Sequence, residues 1–371
     1  MSTVTTTREP LIRISKRGGV LPAWKSWGIR LIGLALSLVV CGLLIVALIG
    51  INPLKVYGTI IDGALGTSKR TWVTIRDSMT MLCIAVGLAP AFKMRFWNIG
   101  AEGQILVGGI ATAACMIYLK SLPTFLLLII MIAVSLLAGA VWGFLPGFFK
   151  AKWNTNETLF TLMMNYIALQ LTSFFVAKWE TPYGSNKVGM INATGHEGWL
   201  PNLFSDGFNK DFGWNVVIVL AVTLFMYLYM NKSKHGYEIA VIGDSENTAR
   251  YAGIRVNKAY VRTIVLSGAI CGLAGFIAVS GASHTISTST AGGRGFTAII
   301  VAWLAQFNSV VMIIFSFLLI ILEKGAQAIA SQYGLSQEVS EMITGIILFF
   351  ILGSEFFVNY TLRFRGKKVT K

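Results

Sequence analysis

Three polar side chains, Asn98, Glu102 and Gln104, stand inside an apolar stretch that runs from Met79 to Tyr118, interleaved with Gly100 and Gly103. Amide groups both donate and accept hydrogen bonds, which suits a neutral polar molecule. A carboxylate at bilayer depth costs at least ~2.5–3.5 kcal/mol on insertion scales, so it marks a purpose. Glycine weakens a helix and lets another backbone or a ligand come close. The pattern predicts a discontinuous helix near 93–109 that lines a polar path, since broken helices survive in a membrane only where protein covers them or water fills the gap. The same residues also fit a short turn between two spans, with Glu102 at a helix start. A second Gly-rich polar interruption, near 292–308, holds Arg294 and Phe296. Paired interruptions in two roughly repeated halves are the sequence pointer to a midplane transport site. Trp97 and Phe296 add aromatic faces for stacking, and Asn165 adds an amide from a neighbouring apolar run. For each of these polar groups, helix-to-helix bonding competes with substrate contact.

Other chemistry is missing. The four cysteines, Cys41, Cys83, Cys115 and Cys271, lie in or beside apolar runs without metal-ligand spacing, and the three histidines are far apart. No phosphate-binding G-x-x-x-x-G-K-[ST] occurs, and no Ser/His/Asp or paired-carboxylate arrangement suggests catalysis. The chain therefore reads as a non-enzyme whose energy comes from an ion gradient or from a separate ATPase.

The elements that must hold these residues are membrane helices. Of 371 residues 55% are hydrophobic and only 13% charged, against roughly 25% in soluble domains, and mean hydropathy is +0.68. A net charge of +15 would suit nucleic acid in a soluble protein, but the cations sit in loops between apolar runs, where they orient the chain and touch anionic lipid. The expected fold is an all-α polytopic membrane protein of about ten spans. A basic cytoplasmic segment covers 1–30, a transmembrane domain 31–358, and a basic cytoplasmic tail 359–371. Spans are expected at 31–51 and 77–92, with the polar residues between them outside. Parity then asks for three spans near 297–308, 310–323 and 341–358.

Two loops stand out. The external loop 178–213 is long and aromatic, with Trp199 and Phe204 as anchors for a docking partner. The inside loop 231–259 holds a helix-compatible stretch, Glu246 to Tyr251, with Gly253 as its stop.

Four stretches in order resemble a known family. Phe96-Trp-Asn-Ile-Gly-Ala-Glu-Gly-Gln104, Asn156 to Ala168, Gly236 to Ile254, and Gly293-Arg-Gly-Phe-Thr-Ala-Ile299 are similar to signatures of nucleoside-type ABC importer permeases, in the superfamily with ribose and branched-chain amino-acid permeases. One departure stands out: after Ile299 the family usually continues Ala-Val-Ala-Leu-Leu-Gly, whereas this chain has Ile-Val-Ala-Trp303-Leu-Ala305. The resemblance implies a bacterial plasma-membrane importer in which Gly243, Asp244, Glu246, Ala249, Arg250, Tyr251 and Gly253 couple to a partner ATPase. ATP and magnesium would sit on that ATPase, with no cofactor on this chain. It also implies a second permease subunit, often a different chain, and an extracytoplasmic substrate-binding lipoprotein. Competing readings are a simple-sugar permease of the same superfamily, an ion-coupled secondary transporter, and a membrane scaffold.

Overall fold

The computed structural model describes residues 12–17, 21–50, 52–201, 203 and 213–364. The chain divides into two compact units, residues 1–63 with 322–371, and residues 64–321.

In the first unit, β1 (Ile12–Lys16) pairs antiparallel with β2 (Tyr360–Phe364), Ile12 opposite Phe364 and Lys16 opposite Tyr360. The two terminal segments, expected to be separate, are thus joined by backbone hydrogen bonds. Helix α1 (Ala23–Ile49) packs on α13 (Gln337–Asn359), and Arg30 pairs with Glu355 at 2.5 Å. The outer face of α1 leaves Leu31, Ile32, Val39 and Leu43 uncovered, as a lipid-facing helix does.

The second unit begins within α2 (Pro53–Leu65) and continues with α3 (Ser68–Lys93), α4 (Ala101–Tyr118), α5 (Thr124–Trp153), α6 (Glu157–Lys178) and α7 (Gly213–Lys232). Two short helices follow, α8 (Lys234–Asp244) and α9 (Glu246–Tyr251), then α10 (Val256–Ala278), which runs on as a π-helical turn, Val279–Ser283. It closes with α11 (Arg294–Leu304) and the start of α12 (Ser309–Gln332).

Among the described residues nine helices are long and apolar enough to cross a membrane. Helices α3 and α10 form the core and are buried nearly all round, while α5, α6 and α7 keep one broad apolar face uncovered. The glycine spacings explain the tight centre. Gly139 on α5 lies against the Gly268 carbonyl and Gly272 Cα of α10, with no room for a Cβ. Lipid gives helices little hydrophobic reason to associate, so such backbone contact supplies the packing.

Several expected boundaries move. The stretch expected as an external polar segment before Asp77 is helical: α2 fills part of it, and α3 starts at Ser68 behind a Thr67 cap. Hydropathy stops at Arg76 and Asp77, but helix geometry continues through charged turns. The expected span 297–308 is α11, whose 11 residues reach only about 16 Å, roughly half a bilayer core, so the parity expected of the last third rested on a helix too short to cross. The expected span 310–323 extends to Gln332, because Glu323, Lys324 and Gln327 end the apolar window without ending the helix. The expected loop 231–259 is mostly helical.

Candidate functional site

The first interruption is shorter than its composition implied. Only Met94 to Gly100 leaves the helix, and Glu102 and Gln104 already belong to the first turns of α4. Arg95 turns the chain with φ 60°, and Phe96 N–H donates to the Ala91 carbonyl at 2.9 Å. The break then turns inward. Asn98 Nδ2 donates to Ser267 Oγ, halfway along α10, at 3.2 Å, and to Gln104 Oε1 at 3.3 Å. Asn98 Oδ1 accepts from Gly100 N–H at 3.1 Å. From α6, Asn165 accepts from Gly103 N–H at 2.8 Å and donates to the Ile99 carbonyl at 2.9 Å, while Thr161 accepts from Ile99 N–H at 3.2 Å. A helix that starts inside the protein leaves its first N–H groups without backbone partners. Asn98 and Asn165 are buried and meet those needs at Gly100 and Gly103, while the buried Gln104 braces the Asn98 amide, so all three side chains are engaged in shaping the break.

The second interruption meets the first. The N-terminus of α11 is turned by Gly292 and Gly293, both left-handed at φ 59° and 74°, a backbone that strains any side chain. Glu102 Oε1 accepts from Gly293 N–H at 2.7 Å and Oε2 from Gly295 N–H at 2.9 Å. A carboxylate at a helix N-terminus answers both its free donors and its dipole. Arg294, between those glycines, reaches Asp77 Oδ2 on α3 at 3.1 Å, and Asp77 Oδ1 is bound by Arg76 Nε at 2.8 Å. Two acids thus face two arginines around the start of α11.

The aromatic groups do something different. Trp97 and Trp303 stack at 5.7 Å and 29°, with Phe92 edge-on to both and Phe307 edge-on to Trp303. Trp97 stays 45% exposed, Trp303 42% and Phe296 44%. They are the open surface of this region.

Beyond Lys93, α8 and α9 form a projecting pair. Gly243 is buried with the Lys93 carbonyl where its Cβ would stand, and Met94 lies alongside. Ala249 is buried, Arg250 pairs with Glu246 at 2.6 Å, Asp244 is exposed, and Gly253 at φ 76° ends the turn. Tyr251 is 93% exposed. Glu238 of α8 is bound by Arg262 of α10 at 2.9 Å and by His235 at 3.6 Å. Burial pushes the Glu238 carboxyl up, but the hydrogen bond and charge of Arg262, then of His235, hold it below the ordinary carboxylate range.

On the other side, the loop after α6 folds onto the end of α10. Trp199 Nε1 donates to the Ile191 carbonyl at 2.8 Å, and its ring stacks on His284 at 3.7 Å and 7°. Ser280 Oγ donates to the Gly198 carbonyl at 2.6 Å. Phe204 lies outside the described residues.

A model of the branched-chain amino acid transport system permease component matches residues 72–352. The chain belongs to that permease family. It is 30% identical over 346 residues to a guanosine ABC transporter permease of Bacillus subtilis, covering 92% of this chain and 96% of that one. A nucleoside ABC transporter permease of Lactococcus lactis is 28% identical, with 84% and 86% covered. A glucose ABC transporter permease of Haloferax volcanii is 26% identical, with 92% and 90% covered.

For a permease the arrangement makes physical sense without bond chemistry. The start of the full-length α4 and the half-length α11 meet in the bundle, held by two hydrogen bonds from backbone N–H groups to Glu102, with exposed indoles beside them. Sequence reasoning missed Asp77, Thr161, Ser267 and Trp303. Asp77 sat at the edge of an apolar run and passed for a helix start. Trp303 left a signal, since it falls where the chain departs from the family pattern.

Proposed function

We propose that this permease is the membrane-crossing subunit of an ATP-driven importer for nucleosides in a bacterial plasma membrane, with both termini and α8–α9 in the cytoplasm. The Lys/Arg bias of 1–30, 231–259 and 359–371 supports that orientation. ATP and magnesium belong to a separate ATPase subunit, which seats Asp244, Glu246, Ala249, Arg250, Tyr251 and Gly253. A second permease chain of different sequence completes the path, and a substrate-binding lipoprotein docks on the outer loop through Trp199 and Phe204. The site residues of the path are Trp97, Phe296 and, lining or supporting it, Asn98, Glu102, Gln104, Asn165 and Arg294.

One observation carries the reading: the seat of Gly243 against Lys93 ties the projecting α8–α9 pair to the first residue before the break. Motion imposed on α9 by an ATPase passes through α8 into Met94–Gly100, and from there through Glu102 to α11. The cargo is inferred from the nucleoside-transporting relatives and from Trp97 and Trp303, whose faces suit a planar base. The two acids and two arginines balance, which suits an uncharged molecule.

The glucose relative keeps a sugar in play, since sugars also pack on indoles. Proteoliposomes holding the full complex decide it: labelled guanosine or uridine accumulates with ATP and is blocked by vanadate, while excess glucose does not compete. Competition by glucose and not by nucleosides overturns the cargo. Uptake that ignores vanadate but collapses with an ionophore overturns the ATP-driven reading.

A further inference from the structure

A basic pocket lies away from the transport path, between α8 and the start of α10. Its volume is about 480 Å³, and its walls include Lys234, Tyr237, Glu238, Arg255, Lys258 and Arg262. Four of these six are cations and one is an anion. That anion is already engaged, because Glu238 is bound by Arg262 and by His235. Lys234, Arg255 and Lys258 are exposed, with no carboxylate among the pocket walls left to answer them. The first turn of α10 opens beside them, since Arg255 caps it by backbone alone, with no side-chain cap, and the helix dipole adds positive potential there.

Position narrows the ligand. Helix α7 ends at Lys232, and α10 becomes an unbroken apolar span immediately after Arg262. The pocket therefore sits where two membrane helices leave the bilayer, at headgroup depth. Tyr237, 65% exposed, adds an amphipathic ring of the kind that settles at a membrane interface. We propose that this pocket binds the phosphate of an anionic phospholipid headgroup and so anchors the root of the α8–α9 pair to the cytoplasmic leaflet. It rests on the cytoplasmic orientation above and not on the cargo; Gly253, placed above in the ATPase seat, also lines the pocket, so lipid and ATPase would meet side by side at this root. Cations gathered at one depth hold an anionic headgroup more firmly than the same cations scattered over a loop, because each contributes at short range in a medium of reduced screening. Arg262 plays two parts, pinning Glu238 and facing the pocket, so it is left unchanged in the test.

The test uses the full chain in nanodiscs of phosphatidylcholine alone or with a quarter phosphatidylglycerol, followed by native mass spectrometry of retained lipid. Arg255→Gln/Lys258→Gln replaces two exposed cations and leaves the Glu238–Arg262 pair in place. Wild type should retain phosphatidylglycerol over phosphatidylcholine, and the variant should lose that preference, by roughly fivefold per cation removed. Both should melt alike in pure phosphatidylcholine; if the double variant melts early there, Lys258→Gln alone serves as the test. Equal retention by wild type and variant overturns the site. Displacement of the lipid by millimolar inorganic phosphate makes the ligand a soluble anion and overturns the lipid assignment. A variant that keeps its lipid but no longer holds the ATPase in the assembled complex places the pocket in that interface and overturns the proposal too. With the opposite orientation, phosphatidylglycerol confined to the outer leaflet of asymmetric vesicles would protect the protein, which separates failure of orientation from failure of the pocket.

Discussion

The carboxylate of Glu102 joins the two interrupted segments of this permease, taking N–H donors from Gly293 at 2.7 Å and Gly295 at 2.9 Å. One acidic side chain thus closes the N-terminus of α11 from a helix almost two hundred positions earlier. Glutamine keeps the shape but offers a single acceptor oxygen, so either the exposed Gly293 N–H or the part-buried Gly295 N–H faces an amide NH2. A buried donor left unmet costs about 1–3 kcal/mol, and solvent at Gly293 reduces that here. Glu102→Gln should lower the melting temperature of the solubilised complex and slow uptake, and Glu102→Ala should do both more strongly. Wild-type melting and uptake in both variants would remove the latch.

Asp77, buried on α3, is shared by Arg76 and by the partly exposed Arg294 of α11. Removing Arg294 leaves Asp77 with Arg76, whereas removing Asp77 takes the carboxylate from both arginines. Asp77→Asn should therefore destabilise more than Arg294→Gln, and Arg294→Gln should add little on top of Asp77→Asn. Additive losses in a double-mutant cycle of melting curves would show that the pair is not coupled.

Trp303 occupies the position where the family pattern has leucine. Trp303→Leu removes a half-exposed ring, so folding should hold. If the Trp97–Trp303 face stacks cargo, nucleoside uptake should fall about two- to tenfold, the range of an aromatic contact. Initial uptake rates over a range of concentrations check it, and unchanged rates would exclude the indole face from the path.

Glu238 gives a pH dependence with a definite sign. Its carboxyl is held below the ordinary value of 4.5, so ionisation in the folded protein is favoured over the unfolded chain. Its contribution is full above that value and is lost as pH falls below it, through the depressed folded value. Glu238→Gln should lower the neutral plateau of a melting-temperature profile and flatten its acid limb, so that the two proteins converge at low pH. An acid limb identical to wild type would mean the Arg262 contact contributes nothing.

Much of this was legible in residue types. The four-residue spacings of Gly139, Gly143 and Gly147 and of Gly268 and Gly272 are a sequence pattern of close helix packing in lipid, and Glu246 to Tyr251 with Gly253 announced α9 and its stop. The paired Gly-rich interruptions were visible too, but not that they touch, because a contact between positions 102 and 293 leaves no local pattern. Polarity alone could not divide amides that bond backbone from groups open to cargo, and Asn98, Gln104 and Asn165 turned out to be engaged in the fold. Helix ends were misplaced where charge begins, at Ser68–Arg76 and at Glu323–Gln332, since hydropathy reads the bilayer and not the helix. The β1–β2 pairing of the two termini also left no signal that one short basic segment can give.

In the proposed importer, α8–α9 drives the break through the seat of Gly243 on Lys93. The most direct test measures substrate-stimulated ATP hydrolysis and uptake in the reconstituted complex for Gly243→Ala, with Tyr251→Asp beside it. Alanine favours the helix but its Cβ meets the Lys93 carbonyl, so α8 must shift while the ATPase still binds. Tyr251 is open to solvent, so its replacement spares the fold. The expected result is a complex that assembles normally yet loses stimulated hydrolysis and uptake together in both variants. Wild-type stimulation and uptake in the assembled Gly243→Ala complex would contradict it.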